Sequence, residues 1–180
     1  MKKSLITLLV TIGTLSCFSQ SEDTVLKKDI ISIDIGFVGV WINYEKHIKK
    51  LFTLKSQVGL EGGFLVGSSV NYFILTPTLR LEPRYYYNFN RRVNAGKKTS
   101  YNASNYLALT MMYIPNLFSI SNVSGLEVEK GFSLIPKFGI KRTLGQRMNF
   151  EFAIGAGPWF SESGQKGTVG LDIRYGYNLK

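Results

Sequence analysis

Alternate positions between residues 75 and 89 separate into two faces of opposite character. One face carries Leu75, Pro77, Leu79, Leu81, Pro83, Tyr85, Tyr87 and Phe89, and the other carries Thr76, Thr78, Arg80, Glu82, Arg84, Tyr86 and Asn88. Successive side chains of a β-strand point to opposite faces. An apolar face that ends in aromatic residues, opposite a polar face that bears charges, is typical of a transmembrane barrel strand with lipid outside and a lumen inside.

Similar alternation recurs along most of the chain and predicts eight strands. They cover residues 31–45, 51–66, 71–89, 105–113, 117–123, 132–140, 148–160 and 169–179. Residues 117–123 have the weakest pattern, and we include them because single-chain bacterial barrels have even strand numbers. A phase change near Gly36 predicts a bulge inside the first strand. Pro77, Pro83 and Pro136 predict bulges or register breaks, since proline cannot donate to a ladder.

These patterns predict an all-β fold: a single antiparallel up-and-down transmembrane β-barrel of about eight strands. No helical pattern competes after the first twenty residues. With an even number of strands, both termini should lie at the periplasmic side. The connections near residues 47, 91–104, 124–130 and 161–167 would then be extracellular, and those at 67–69, 115–116 and 144–146 would be periplasmic turns.

The first twenty residues have the features of a cleaved signal peptide. Lys2 and Lys3 precede an apolar run at residues 5–15 that is too short to span a bilayer, and small residues follow near Ser19. We therefore divide the chain into a signal peptide, 1–20, and an outer-membrane β-barrel domain, 21–180. The single cysteine, Cys17, lies in the leader, where lipidation is an alternative fate. The barrel domain then has no thiol for a disulfide, a nucleophile or a metal site.

Charge and secretion together restrict the partners. The chain carries 22 Lys and Arg against 12 Asp and Glu, a net charge of +10. Such a balance favours an anionic partner, and secretion argues against nucleic acid. We expect a monomer in the outer membrane of a Gram-negative cell, in contact with membrane lipid and lipopolysaccharide. One histidine and no mature cysteine make a zinc site improbable, and we expect no cofactor.

Charged residues on the inward phase form the first candidate site. They are the cations Lys55, Arg80, Arg84, Lys137, Lys141 and Arg174 and the anions Asp34, Glu61, Glu82, Glu151 and Asp172. An eight-stranded barrel is just wide enough for side chains to fill its interior. The near balance of charge favours a plug of mutually paired groups over a narrow ion path.

Two further groups are assigned to the rim of the barrel. A basic rim on the extracellular side would contact lipopolysaccharide phosphates, or would simply be solvated; it comprises Lys49, Lys50, Arg91, Arg92, Lys97 and Lys98. Tyr85, Tyr87 and Phe89 would belong to an aromatic girdle at the membrane interface. Tyr86 points the other way and would pack in the lumen.

Several segments resemble a family of small outer-membrane β-barrel proteins. They are Asn43-Tyr44-Glu45-Lys46, Leu81-Glu82-Pro83-Arg84-Tyr85-Tyr86-Tyr87-Asn88, Gly96-Lys97-Lys98 and Ile135-Pro136-Lys137-Phe138-Gly139-Ile140-Lys141-Arg142. The resemblance implies the fold and the compartment but no activity. The final residues from Tyr175 to Lys180 resemble the C-terminal strand signal read by the barrel-assembly machinery, although the usual last residue is aromatic.

We expect a structural or surface-interaction role without catalysis, and two alternatives remain. The first is an outer-membrane lipid-modifying enzyme with His47 as base, which requires a nucleophile within hydrogen-bond reach. The second is a soluble secreted barrel that binds an apolar ligand, as lipocalins do. In that barrel the phase inverts: Leu79, Leu81 and Tyr85 would line a pocket, and Arg80, Glu82 and Arg84 would face water.

Overall fold

The computed structural model describes residues 26–37, 39–66, 71–123 and 128–180, and the predicted signal peptide with Cys17 lies outside them. The strands are β1 (Asp29–Gly36), β2 (Gly39–Lys49), β3 (Phe52–Val66), β4 (Asn71–Tyr85), β5 (Asn105–Ile114), β6 (Ile120–Ser121), β7 (Gly131–Leu144), β8 (Met148–Ser161) and β9 (Gly164–Asn178). Helix α1 (Phe89–Asn94) and a 3-10 turn (Ser100–Asn102) lie between β4 and β5. In the described part of the chain, no helix has the length and apolar character needed to cross a membrane.

Antiparallel pairing closes the sheet into a ring. The order around the ring is β1, β2, β3, β4, β5, β7, β8 and β9, and β9 pairs back to β1. The remaining strand, β6, is two residues long and pairs with β4 through Ile74 and Leu75, beyond the reach of β5. The predicted all-β antiparallel ring is thus confirmed, with eight long strands and one short addition.

The predicted strands at residues 31–45 and 117–123 are wrong in detail. The first run is a hairpin of β1 and β2, which pair from Asp29↔Lys46 to Gly36↔Gly39, so the phase change at Gly36 marks a turn and not a bulge. Within 117–123, only Ile120–Ser121 forms a strand. The two errors cancel in the strand count, because one predicted strand divides into two and another is not a full crossing.

The hairpin also changes which connections share an end of the ring. The first described residues and the C-terminal residues lie at one end, here named the termini end, together with the β2–β3, β4–β5 and β7–β8 connections. The β1–β2, β3–β4, β5–β7 and β8–β9 connections lie at the opposite end, here named the far end. The predicted placement of His47 and residues 91–104 opposite the termini is therefore wrong, as is that of 115–116 beside them. The predicted connections at 67–69 and 124–127 lie outside the described residues. The connections at 144–146 and 161–167 keep their predicted ends.

Each long strand presents apolar side chains to the outside of the ring. Examples in order around it are Ile35, Ile42, Val58, Leu79, Leu107, Phe138, Ile154 and Leu171, all of them exposed. The alternate positions point inward and are mostly polar; Ser32, Asn43, Gln57, Arg80, Thr110, Lys137, Glu151 and Arg174 are all buried. The ring is thus inside-out relative to a water-soluble barrel, as the alternation in the sequence predicts.

Aromatic side chains concentrate toward both ends of the outer surface. At the termini end, the Phe52 and Tyr85 rings stack with centroids 4.7 Å apart, and Phe150 and Tyr175 pack at 5.2 Å. Toward the far end, the exposed aromatic residues include Phe37, Phe73, Phe118, Phe132 and Phe160. Phe89 is an exception to the predicted girdle, because β4 ends at Tyr85 and Phe89 is buried at the start of α1.

The three prolines within strands do not break the register. β3 and β4 keep one register from Phe52↔Tyr85 to Val66↔Asn71, across both Pro77 and Pro83. The β7–β8 ladder lacks pairs between Ser133↔Trp159 and Lys137↔Gly155, next to Pro136, and resumes in the same register. The predicted register breaks are wrong, because a missing N–H removes a ladder bond without inserting a residue. A shift of register does occur in the β2–β3 pairing, between His47 and Lys49, where there is no proline.

A small hydrophobic cluster closes the lumen at the termini end. It consists of Leu26, Tyr86, Phe89, Tyr106 and Ala153, with Leu51, Val93 and Ala108 packed against it. A helix appears here, although the sequence predicts none, because residues 86–104 fold over the end of the ring. The Tyr106 ring fills the space beside Gly139, where an added Cβ would lie 2.1 Å from the ring.

We therefore predict that Gly139→Ala destabilises the barrel by about 1–3 kcal/mol, the usual cost of overpacking a close-packed interior. The double variant Gly139→Ala/Tyr106→Leu should lose less than the sum of the two single variants, because the smaller side chain admits the new methyl group. Urea-induced unfolding of the three variants and the wild type measures this coupling. Strictly additive losses would show that Tyr106 does not occupy this space.

Candidate functional site: the charged lumen

The lumen holds equal numbers of positive and negative side chains. The six cations are Lys55, Arg80, Arg84, Lys137, Lys141 and Arg174, and the six anions are Asp34, Glu45, Glu61, Glu82, Glu151 and Asp172. Every member makes an ion pair, and all but Glu61 are buried. All eleven charges that strand alternation assigned to the lumen thus point inward and are brought together.

Seven of these residues form a lower cluster toward the termini end: Asp34, Glu45, Lys55, Glu82, Arg84, Lys141 and Glu151. Arg84 is its hub. Its guanidinium donates to both carboxylate oxygens of Glu151, at 2.6 and 3.1 Å, and through Nε to Glu82 at 2.6 Å. It also stacks on Tyr106, with 4.1 Å between Cζ and the ring centroid. Bidentate pairing of this kind is both strong and directional.

Glu45 joins the lower cluster to the segment that covers the termini end. Its carboxylate accepts hydrogen bonds from the Tyr86 hydroxyl at 2.8 Å and the Asn102 amide at 3.0 Å, and it pairs with Lys141 at 3.2 Å. The oxygen of the Asn102 side chain in turn accepts the backbone N–H of Lys27 at 2.8 Å. One buried carboxylate therefore connects the barrel wall, the β4–β5 connection and the chain before β1.

The other five charges form an upper cluster toward the far end: Glu61, Arg80, Lys137, Asp172 and Arg174. Asp172 is the hub here and accepts from three cations: Arg80 at 3.1 Å, Lys137 at 2.5 Å and Arg174 at 2.5 Å. Arg80 also pairs with Glu61. No ion pair among the described residues joins the upper to the lower cluster.

Trp41 is the largest of the fully buried side chains described and supports the upper cluster. The Arg174 guanidinium lies 3.8 Å from the centre of its ring, and that of Arg80 lies 5.8 Å away. Glycines make room for the indole: a Cβ at Gly59 would lie 2.6 Å from it, and one at Gly36 would lie 2.9 Å from it. These stacked geometries are typical of cation–π contacts.

A cavity of about 310 Å³ opens above the upper cluster. Arg80, Lys137, Asp172 and Arg174 line its floor, and it extends to Phe37 and Thr168 toward the far end. Its remaining walls include Trp41, Met112 and Ile135. The lumen therefore differs at its two ends, because the termini end is filled by the hydrophobic cluster.

Two lumen residues, Glu45 and Trp41, are absent from the sequence prediction, and the predicted base His47 lies outside the lumen. Glu45 and Trp41 were missed because residues 31–45 were treated as one strand; in β2 both fall on the inward phase with Asn43. His47 lies at the end of β2, where Nε2 is 2.8 Å from the backbone oxygen of Lys50. A ring nitrogen that faces a carbonyl oxygen is a donor, so this contact holds the β2–β3 turn and does not activate a nucleophile.

Positive charge on the surface concentrates at the termini end. The described residues there include Lys27, Lys28, Lys46, Lys49, Lys50, Arg91, Arg92, Lys97, Lys98, Arg142, Arg147 and Lys180, here named the basic face. Asp29 is the acidic residue described at the same end, and it accepts a hydrogen bond from Tyr44. All six cations of the predicted basic rim belong to this face, and they share it with the termini. Their predicted location opposite the termini is wrong.

Crowding of the basic face affects Lys27. Partial burial and the neighbouring charges of Lys180, Arg147 and Lys141 lower its pKa. Its ammonium lies 4.1 Å from the centre of the Tyr101 ring.

Arg92 has a structural role, since it donates to the backbone oxygens of Ala103 and Lys98 and so holds the β4–β5 connection in place.

Comparisons of the chain with protein-family models, with curated proteins and with solved structures find no match.

Because Arg84 neutralises two buried carboxylates, we predict that Arg84→Met lowers the free energy of unfolding by about 3–5 kcal/mol, the usual cost of leaving a buried charge unpaired. The methionine side chain keeps part of the volume, so lost packing contributes less than lost charge. Lys166→Met, at an exposed cation of β9, is the matched control and should change stability by less than about 0.5 kcal/mol. Equal stability of the two variants in urea unfolding would contradict the pairing described for Arg84.

Proposed function

We propose that this protein is a small, monomeric outer-membrane β-barrel with a lumen sealed by side chains and with a structural or surface-interaction role. The observation that carries the proposal is the apolar outer surface, which continues around all eight long strands. Monomeric soluble proteins rarely expose apolar patches larger than a few hundred Å². A bilayer covers such a surface, and the aromatic residues toward both ends match the girdles of membrane barrels.

Closure of the ring suits the same environment. In a bilayer, backbone N–H and C=O groups need partners within the protein, and a ring of paired strands supplies them. The ring here closes where residues 32–36 of β1 pair with residues 174–178 of β9. The soluble, lipocalin-like alternative requires an apolar interior. Here Arg80, Glu82 and Arg84 lie inside and Leu79 and Leu81 lie outside, which supports a membrane barrel over that alternative.

A sealed lumen fits a barrel that does not conduct. The lower cluster and the hydrophobic cluster fill the half nearest the termini, and ion pairs consume the charges that would otherwise attract a permeating ion. Neutral pairing of this kind is what a plug requires. Catalysis on lipid would need a base with a nearby nucleophile, and the contact of His47 with Lys50 does not favour it.

The basic face supports a surface-interaction role with lipid phosphates as partners. If both termini remain in the periplasm, as expected for an even-stranded barrel, this face meets the headgroups of the periplasmic leaflet and not lipopolysaccharide. Each cation near an anionic membrane surface contributes on the order of 1 kcal/mol, and salt screens the attraction. Assembly into the membrane would proceed through the barrel-assembly machinery.

Membrane insertion can be tested with two substitutions on β9. Leu171 lies at the middle of the strand and is exposed, whereas Thr168 lines the cavity. We predict that Leu171→Arg reduces folding into lipid vesicles by about 2–4 kcal/mol, because arginine is costly at the bilayer midplane. Thr168→Arg should fold nearly as well as the wild type, because residue 168 is half-buried on the lumen side and its new side chain avoids the lipid.

Heat modifiability on gels measures the folded fraction of both variants. Equal folding of the two in vesicles, or recovery of the wild-type protein from cells in soluble form without detergent, would refute membrane insertion.

The lipid partner can be tested with a charge variant of the basic face. We predict that changing Lys49, Arg91, Lys97 and Lys98 to Gln reduces co-purification of phosphate-bearing lipid at low salt and has little effect at high salt. These four cations are exposed, so the fold should survive the change. The matched control is Lys130→Gln/Lys166→Gln at the far end, which should leave lipid binding unchanged.

Two arms of this experiment distinguish the leaflets. With the termini in the periplasm, phosphatidylglycerol should be lost from the variant and lipopolysaccharide retained, and protease added to intact cells should not cut residues 94–100. Loss of lipopolysaccharide together with cleavage in intact cells would show the opposite orientation. Equal lipid retention by the variant and the wild type at low salt would refute the role of the basic face.

A further inference from the structure

The cavity at the far end has no part in a purely structural role. Its volume of about 310 Å³ lies at the lower limit of small-molecule sites in proteins, which span roughly 300–1,000 Å³. It combines apolar walls with a few convergent polar groups, which is the usual composition of such sites. The charged groups that it reaches belong to the upper cluster.

The two clusters of the lumen are not neutral separately. The upper cluster has three cations, Arg80, Lys137 and Arg174, against the carboxylates of Glu61 and Asp172, so its net charge is +1. The lower cluster has three cations against four carboxylates, so its net charge is −1. The excess positive charge lies at the floor of the cavity, where two carboxylates, Asp172 and Glu61, pair with three cations.

Hydrogen-bond donors are also in excess at this floor. The Nε atoms of Arg80 and Arg174 are buried and make no hydrogen bond to the described residues, and the same holds for Nε2 of Gln57. Gln57 is adjacent, since its Oε1 accepts from Arg174 at 2.7 Å. Buried donors without partners are uncommon and are often explained by a missing acceptor. An anion with two or three oxygen atoms supplies acceptors and offsets the excess charge.

The wall above the floor is apolar. Trp41, Met112 and Ile135 line it, and the indole is held in place by the stacked Arg174. A ligand that fills the cavity therefore needs an anionic group at one end and a compact apolar body at the other. A simple inorganic anion would leave the apolar wall in contact with water.

We propose that the cavity is a binding site for a small organic anion, a carboxylate or phosphate on a compact apolar body. The anionic group accepts hydrogen bonds from Lys137 and Arg80, and these two cations keep their ion pairs with Asp172. The apolar body packs against Trp41, Met112 and Ile135. The cavity extends to Phe37 and Thr168, so its ligand enters through the half of the barrel nearest the far end.

Tryptophan fluorescence tests this site, because the chain has two tryptophans and Trp41 lines the cavity. In a Trp159→Phe background, the folded barrel in neutral detergent is titrated with benzoate, phenyl phosphate and benzyl alcohol. The two anions should change the emission of Trp41 saturably, and the neutral alcohol should not. The anion with the lower dissociation constant shows whether the site prefers a carboxylate or a phosphate. Equal responses to benzoate and benzyl alcohol, or no saturable response, would overturn the proposal.

Two lysines on β7 provide a matched pair of variants. Lys137 and Lys141 are both buried and each pairs with one carboxylate, but only Lys137 lines the cavity. Lys137→Met should weaken anion binding at least tenfold, and Lys141→Met should leave it within about twofold of the background. Equal losses in the two variants would refute a role for Lys137 in binding.

A third variant separates loss of binding from loss of folding. Met112→Trp fills the cavity without removing a charge, and it should abolish the anion response while the barrel stays heat-modifiable on gels. Because this substitution adds a third tryptophan, isothermal titration calorimetry with benzoate provides the measurement for it. Undiminished binding in the folded variant would place the anion elsewhere and overturn the proposal.

Discussion

Complete pairing of charge inside a narrow closed ring is the constraint on which the structure depends. A side chain that points inward from an eight-stranded barrel cannot reach bulk water except near the ends, so each buried charge needs a partner within the lumen. Two hubs, Arg84 and Asp172, hold five of the nine ion pairs described among these twelve groups, and the other four join Lys55, Arg80 and Lys141 to further carboxylates. Both hubs hold partners from different strands, so the ion pairs connect distant parts of the ring across its interior.

This pairing determines where the net charge of the protein appears. The lumen contributes none, because its six cations meet six anions. Among the described residues, the far end is also near balance, with Lys130 and Lys166 against Glu129 and Glu162. The positive excess therefore lies on the basic face at the termini end. Cations that are scattered along the sequence therefore gather at one end of the folded ring. An anionic surface is attracted to that end and not to the other.

The two halves of the lumen have different physical characters. At the termini end, the aromatic and aliphatic cluster around Tyr86 and Tyr106 covers the lower cluster, and Glu45 fastens the covering segment to the wall. At the far end, the upper cluster forms the floor of a cavity and carries a charge of +1, opposite in sign to that of the sealed half. A rigid, closed base beneath a shaped cavity is a suitable support for a ligand site, because tightly paired side chains hold the floor in one arrangement.

Strand alternation by itself determined the fold class, the inward phase of the lumen charges and the apolar exterior. The physical reason is that a period of two assigns each side chain to a face without knowledge of its neighbours. Alternation does not distinguish a bulge from a tight turn, so the hairpin at Gly36 was missed and Glu45 and Trp41 were missed with it. Only the tertiary structure decided that the basic residues share an end with the termini and that Phe89 belongs to the hydrophobic cluster. It also decided which cation pairs with which carboxylate. Those features depend on strand register and on closure of the ring, which bring together residues as distant as Lys141 and Glu45.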